Sequence, residues 1–235
     1  MVVVSHPENG YASISTVNMD FITAGTSGAV RAALKMDQVR TLAALYAPLD
    51  GMNEAGLAVS VNMIQDSATI AQNTDKPDIT TTTAVRLLLN KAGNVEDALT
   101  LLEEYDLHAS MGMMIHFALT DRTGRSVVVE YIDQEMVVTE TPVVTNFYLA
   151  EGEKHGIGTQ QSHERYDILT GLLAQRETMS SADVRDALER VSKKNFDDYA
   201  STEWSIVFDL DAGTAQYYHR ENYEQQYAFS LTEGE

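Results

Sequence analysis

Two asparagines and one arginine stand out for the chemistry they could support. Asn62 interrupts the end of an apolar run, Val59-Ser60-Val61-Asn62-Met63, and Asn146 closes Val143-Val144-Thr145. A side-chain amide held at the end of a strand can donate its NH₂ hydrogens to the oxyanion formed when a nucleophile adds to an amide carbonyl. Arg165 lies at the opening of a helical stretch, against the helix dipole, which suits a guanidinium held for an ion pair or an anion. Each also fits a plain structural role, as a turn or edge asparagine or a surface arginine. The segment Asp50-Gly51-Met52-Asn53-Glu54-Ala55-Gly56-Leu57 holds the densest turn chemistry and reads as a turn feeding a strand. The six histidines show no i, i+4 pair with a carboxylate between, so no metal site is expected. There is no G-x-S-x-G elbow, phosphate-binding loop or glycine fingerprint for a dinucleotide, and carboxylates are too numerous for one pair to stand out. Cysteine is absent, which removes disulfides, thiolate metal sites and a thiol nucleophile from these 235 residues.

The elements that must position these residues follow from apolar periodicity. Val2–Val4 reads as a strand, Pro7–Gly10 as a turn and Tyr11–Val17 as a weak strand. Leu57–Met63 is a short apolar strand entered through the Asn53–Gly56 turn. Between Thr80 and Tyr105, Val85, Leu88, Leu89 and then Val95, Ala98, Leu99, Leu102 recur at helical steps. Gly93-Asn94 divides them into two helices, with Asn94 as the second cap. Met113–Leu119, Ser126–Ile132, Met136–Thr139 and Val143–Thr145 read as antiparallel strands. Helices follow at His163–Gln175 and at Ala182–Lys194, the latter capped by Ser181. Trp204–Leu210 and Thr214–Arg220 form a hairpin about Asp211-Ala212-Gly213, and Gln226–Leu231 is a last strand. Strand clusters interrupted by paired helices predict an α+β sandwich in a single domain spanning 1–235.

Composition narrows the partners. A net charge of -19 repels phosphate backbones and anionic lipid headgroups, so neither nucleic acid nor a membrane is expected. No apolar run approaches about 18 residues and no export signal opens the chain, so a cytoplasmic location is expected.

Asp50-Gly-Met-Asn-Glu-Ala-Gly-Leu-Ala-Val-Ser-Val-Asn62 resembles the signature of the linear amide C–N hydrolases, the family of choloylglycine (bile-salt) hydrolases and penicillin V acylases. Leu107–His116 leading to Val127-Val-Val-Glu130, Val143-Val-Thr-Asn146, and the closing stretch Trp204–Leu210, Tyr218–Asn222, Phe229–Leu231 are similar to that family in order and spacing. The resemblance runs from residue 1 to residue 231. It implies a four-layer αββα sandwich of the N-terminal-nucleophile type, an N-terminal cysteine activated by its own α-amino group, an acyl-enzyme, and no cofactor. It casts Asn62 as an oxyanion-hole residue, Asn146 as a second active-site asparagine and Arg165 as an active-site arginine. The expected partner is a small acyl-amide substrate.

The chain departs from the family at its start. Family members carry the cysteine, an arginine and an aspartate ahead of the stretch that is here His6-Pro7-Glu8-Asn9-Gly10-Tyr11, so the expectation is a sandwich without its first strands and without hydrolysis by this chain alone. A non-catalytic relative that binds an acyl or amide ligand, and a chain that pairs with a nucleophile-bearing polypeptide, are the alternatives. Self-cleavage at Gly25-Thr26 to give a threonine nucleophile is a more remote one. An uncovered sheet edge makes marginal stability or association, including a homo-oligomer, the matching expectation.

Overall fold

The computed structural model describes residues 1–19, 22, 28–33, 36–194 and 201–231; Gly25-Thr26 lies outside them. Seven antiparallel strands form the main sheet. These are β1 (Val2–Ser5), β2 (Ser13–Thr16), β3 (Asp50–Asn53), β4 (Leu57–Met63), β7 (Ile115–Asp121), β8 (Ser126–Ile132) and β9 (Glu135–Glu140), in the order β1-β2-β3-β4-β7-β8-β9. β10 (Trp204–Asp209), β11 (Thr214–His219) and β12 (Asn222–Ser230) make a second antiparallel sheet. β5 (Asp78–Thr80) and β6 (Asp106–His108) form a small parallel pair. The helices are α1 (Gly28–Ala33), α2 (Asp37–Leu45), α3 (Thr81–Lys91), α4 (Val95–Glu103), α5 (Gln160–Leu173) and α6 (Ser181–Arg190).

Alternation along the strands sorts the layers. Leu57 and Val59 of β4, Phe117 and Leu119 of β7, and Val127 and Val129 of β8 share one face, and pack with Val85, Leu88 and Leu89 of α3 and Val95, Ala98 and Leu102 of α4. The opposite face sends Ile14, Met52 and Ala58 against Ala215 and Tyr217 of the second sheet and Leu231 just past its last strand. The far side of that sheet packs Val207, Tyr218 and Tyr223 against Val184 and Leu188 of α6. Helices, sheet, sheet and helices make the four-layer sandwich.

Caps place the helix ends. Asn94 accepts the Asp97 N–H at 2.9 Å, as its position predicts, with Glu96 and Asp97 at the positive end of the helix dipole. Ser180, not Ser181, caps α6, accepting the Asp183 N–H at 3.2 Å while Asp183 accepts the Ser180 N–H in return. α5 begins earlier than apolar spacing indicates, because Thr159 accepts the Ser162 N–H at 3.2 Å. Arg165 therefore sits in the second turn of α5 and does not open it. Val143–Thr145 is not a strand: the Thr141 hydroxyl donates to the Val143 carbonyl and accepts the Val143 N–H, turning the chain away from the sheet. Asp50–Asn53, read as a turn, is β3, and the turn begins only at its last residue.

Candidate functional site

β4 carries Asn62 on the face that looks toward the second sheet, since Ala58, Ser60 and Asn62 alternate with the core residues Leu57, Val59 and Val61. The two sheets part here into a cleft of about 570 Å³ whose wall includes Asp50, Ser60, Asn62, Thr120, Arg165 and Trp204. The cleft shares Pro142, Val144 and Leu188 with an adjoining apolar recess of about 250 Å³ against α5 and α6.

Of the three residues singled out from the sequence, Asn62 and Arg165 line this cleft, and Asn146 bonds Arg165 and the residue after Asn62. The Asn146 amide donates from Nδ2 to the Met63 carbonyl at 2.7 Å, the residue after Asn62, and its Oδ1 accepts Arg165 Nη2 at 2.8 Å. Arg165 also donates to Ser162 Oγ at 3.3 Å and to the Gln161 carbonyl at 3.3 Å. Ser162 Oγ in turn accepts the Asn146 backbone N–H at 2.6 Å. Arg165 thus fixes which way the Asn146 amide faces, because only its oxygen can meet the guanidinium. Asn62 is far less engaged: Nδ2 has Ser60 Oγ at 3.5 Å, the limit of a hydrogen bond. Its NH₂ is the less committed amide donor of these two asparagines among the described residues.

Charge in the cleft is unevenly placed. No carboxylate among the described residues pairs with Arg165, and burial lowers its pKa. Lys193 has its pKa lowered by burial and by the nearby Arg165. Against an overall charge of -19, Arg165 in the cleft wall and Lys193 near it, neither in an ion pair with a carboxylate of the described residues, form a local positive field. Among the described residues no group of three or more His, Asp or Glu is placed to hold a metal ion.

The family model for acyl-coenzyme A:6-aminopenicillanic acid acyl-transferase matches residues 44–224, a span that contains Asn62, Asn146 and Arg165. The chain belongs to this family. Two variants of a conjugated bile acid hydrolase from Clostridium perfringens share its fold, with TM-scores of 0.66 and 0.68 and identities of 17% and 15%, over 96% of this chain and 78% of theirs. A penicillin V acylase from Agrobacterium tumefaciens matches with a TM-score of 0.60 and 18% identity, over 93% of this chain and 72% of its own. No curated protein sequence matches the chain. The resemblance read from the motifs and the αββα architecture it implied both hold.

Two acidic residues near the site were missed by sequence reading and titrate in opposite senses. Asp50 lies in the cleft wall, pushed up to about 6 by burial, although Trp204 Nε1 donates to its Oδ2 at 3.1 Å. Its Oδ1 is buried without a hydrogen-bond partner. Asp66, past the end of β4, accepts Lys154 Nζ at 2.8 Å, the Tyr148 hydroxyl at 3.0 Å and the Ala68 N–H at 3.1 Å, and Lys154 above all holds it down at about 2. This cluster ties the loop after Asn62 to the segment after Asn146.

The pH windows follow from the two signs. With its folded pKa depressed, Asp66 contributes stability that is whole above about pH 4 and lost as pH falls toward 2. With its folded pKa raised, Asp50 contributes stability that is whole below about pH 4 and lost as pH rises through 6. Thermal unfolding across this range should therefore show Asp66→Asn losing less stability than the parent on acidification below pH 4. Asp50→Asn should lose less than the parent between pH 4 and 6. Parallel curves for parent and variant would contradict either assignment.

Proposed function

We propose that the protein acts on amide C–N bonds of N-acyl compounds by acyl transfer, with the scissile carbonyl against Asn62 at the Arg165 end of the cleft. The observation that supports this reading is convergence: Asn62, Asn146 and Arg165 come from three separate stretches of a chain in an acyl-transferase family, Asn62 and Arg165 line one cleft, and Asn146 bonds Arg165 at 2.8 Å and the carbonyl of Met63, the residue after Asn62, at 2.7 Å. A tetrahedral intermediate places negative charge on the former carbonyl oxygen, and preorganised N–H donors in a cleft stabilise it without reorganising. Arg165 and Lys193 favour an acyl compound that carries a carboxylate or sulfonate. The apolar recess beside the cleft suits the acyl group.

On this proposal the attacking group is a thiol, as in the N-terminal-cysteine family that the motifs resemble, and because these 235 residues hold no cysteine it comes from outside them. Taken alone, the chain then binds such amides and does not cleave them. The test is to follow amine release and thermal stability with penicillin V, glycine- and taurine-conjugated bile acids and N-acyl amino acids. The 235-residue chain should gain in melting temperature with at least one of these and release no amine. The same chain extended by the in-frame upstream coding sequence, which should encode a cysteine, should release amine. Stop codons directly upstream, or no response to any of these compounds, would sink the proposal.

A second reading rests on the same absence of cysteine: a relative that retains the cleft to bind an acyl amide and performs no chemistry. It predicts the stabilisation without hydrolysis in any extended form.

A further inference from the structure

Beneath Asn146 lies a buried pair that no step so far has used. His116 of β7 stands in register with Asn62 of β4, and Glu130 lies on β8; the side chains of both are wholly inaccessible to solvent. His116 Nδ1 meets Glu130 Oε1 at 3.0 Å, and His116 Nε2 meets the Thr145 carbonyl at 2.8 Å. Glu130 also accepts the Leu149 N–H on both oxygens, at 3.0 and 3.1 Å, and the Ala150 N–H at 2.7 Å. Asn146 therefore sits in a segment held on one side at Thr145 and on the other at Leu149 and Ala150, all by one histidine–glutamate pair in the main sheet.

We propose that His116 and Glu130 are positioning residues that set Asn146 against the Met63 carbonyl and Arg165; the functional weight of this rests on the reading of Asn146 as an active-site residue. Past Thr141, whose N–H still bonds the Ser126 carbonyl at 3.0 Å, the segment has no strand pairing from Pro142 to Asn146, so no ladder fixes the Thr145 carbonyl. The imidazole supplies that location from the side. The Thr145 carbonyl can only accept, so the ring meets it by donating from Nε2, and one proton is held between Nδ1 and the Glu130 carboxyl, which also collects two backbone N–H groups.

The test separates the two arms of the imidazole. His116→Gln places an amide N–H where Nε2 was and can keep the bond to Thr145. His116→Asn reaches toward Glu130 and cannot reach Thr145. In ¹H–¹⁵N spectra of the whole chain, hydrogen exchange of the Asn146 side-chain amide should quicken about tenfold or more in His116→Asn and stay within about twofold of the parent in His116→Gln. A role in stability alone would lower the melting temperature in both and leave the Asn146 signals where they are, and that result overturns the proposal. Should either variant fail to fold, the parent decides: Nε2 of His116 should show a slowly exchanging N–H signal hydrogen-bonded to the Thr145 carbonyl, and an Nε2 without that proton overturns it. If Asn146→Ala leaves the response to every amide ligand intact while the exchange pattern holds, the functional reading has failed and the positioning device stands.

Discussion

Asn53→Asp should destabilise the protein by roughly 3–5 kcal/mol at neutral pH, the largest loss expected from replacing a single atom group. Asn53 is wholly buried at the end of β3 and uses all of its capacity. Nδ2 donates to the Leu89 carbonyl at 3.0 Å and the Ala92 carbonyl at 2.8 Å, and Oδ1 accepts the Gly56 N–H at 3.1 Å and the Leu57 N–H at 3.0 Å. The amide thus closes the turn into β4 and fastens it to the C-terminal end of α3. An aspartate of the same shape keeps the two acceptor bonds and turns an anion toward two carbonyl oxygens. Burial and those carbonyls would raise the pKa of the new carboxyl, so the penalty should be full at high pH and shrink as acidification protonates it. Urea unfolding at pH 7 and pH 4 checks this. A loss below about 1 kcal/mol at pH 7 would show that the turn relaxes to accommodate the charge.

Asn62→Ala should lower kcat for amine release about 10²–10³-fold in the thiol-bearing form, the size of effect seen on removing one oxyanion donor. KM should change much less, because the developing charge and not the ground-state carbonyl feels the donor. Asn146→Ala should behave differently. Its amide is committed to Met63 and Arg165, so its loss frees the guanidinium and slackens the end of β4. Both kcat and KM should move, and Arg165→Met should reproduce much of that change. Equal effects of Asn62→Ala and Asn146→Ala on kcat with KM unmoved would assign both amides to the oxyanion and refute the division of labour.

Where sequence reading succeeded and where it stopped has a common cause. The paired helices α3 and α4, the strands of the closing hairpin and the Asn94 cap depend on neighbours within a few residues, and local patterns record them directly. β3 does not. Asp50-Gly51-Met52-Asn53 has turn composition, yet Gly51 is there because a Cβ would stand 2.5 Å from the Ile14 carbonyl and 2.9 Å from Leu89 Cδ1. Its small size serves close packing between β2 and α3, which no local signal marks. Val143–Thr145 erred in the other direction: β-branched residues satisfied the strand pattern, and the Thr141 hydroxyl captured the backbone of Val143.

The candidate site divides in the same way. Motif order alone pointed to Asn62, Asn146 and Arg165, and to an αββα sandwich built around them, because residue types and their succession along the chain are written in one dimension. How those residues are held, and the bonds that Asp50, Ser162, His116 and Glu130 make around them, were decided only by the fold. A carboxylate on β8 and an imidazole on β7 meet a loop at Thr145 through pairings that separate partners by 14 and 29 positions. Hydrogen bonds of that range depend on strand register and on burial away from water, and both come into being only when the sheets have packed.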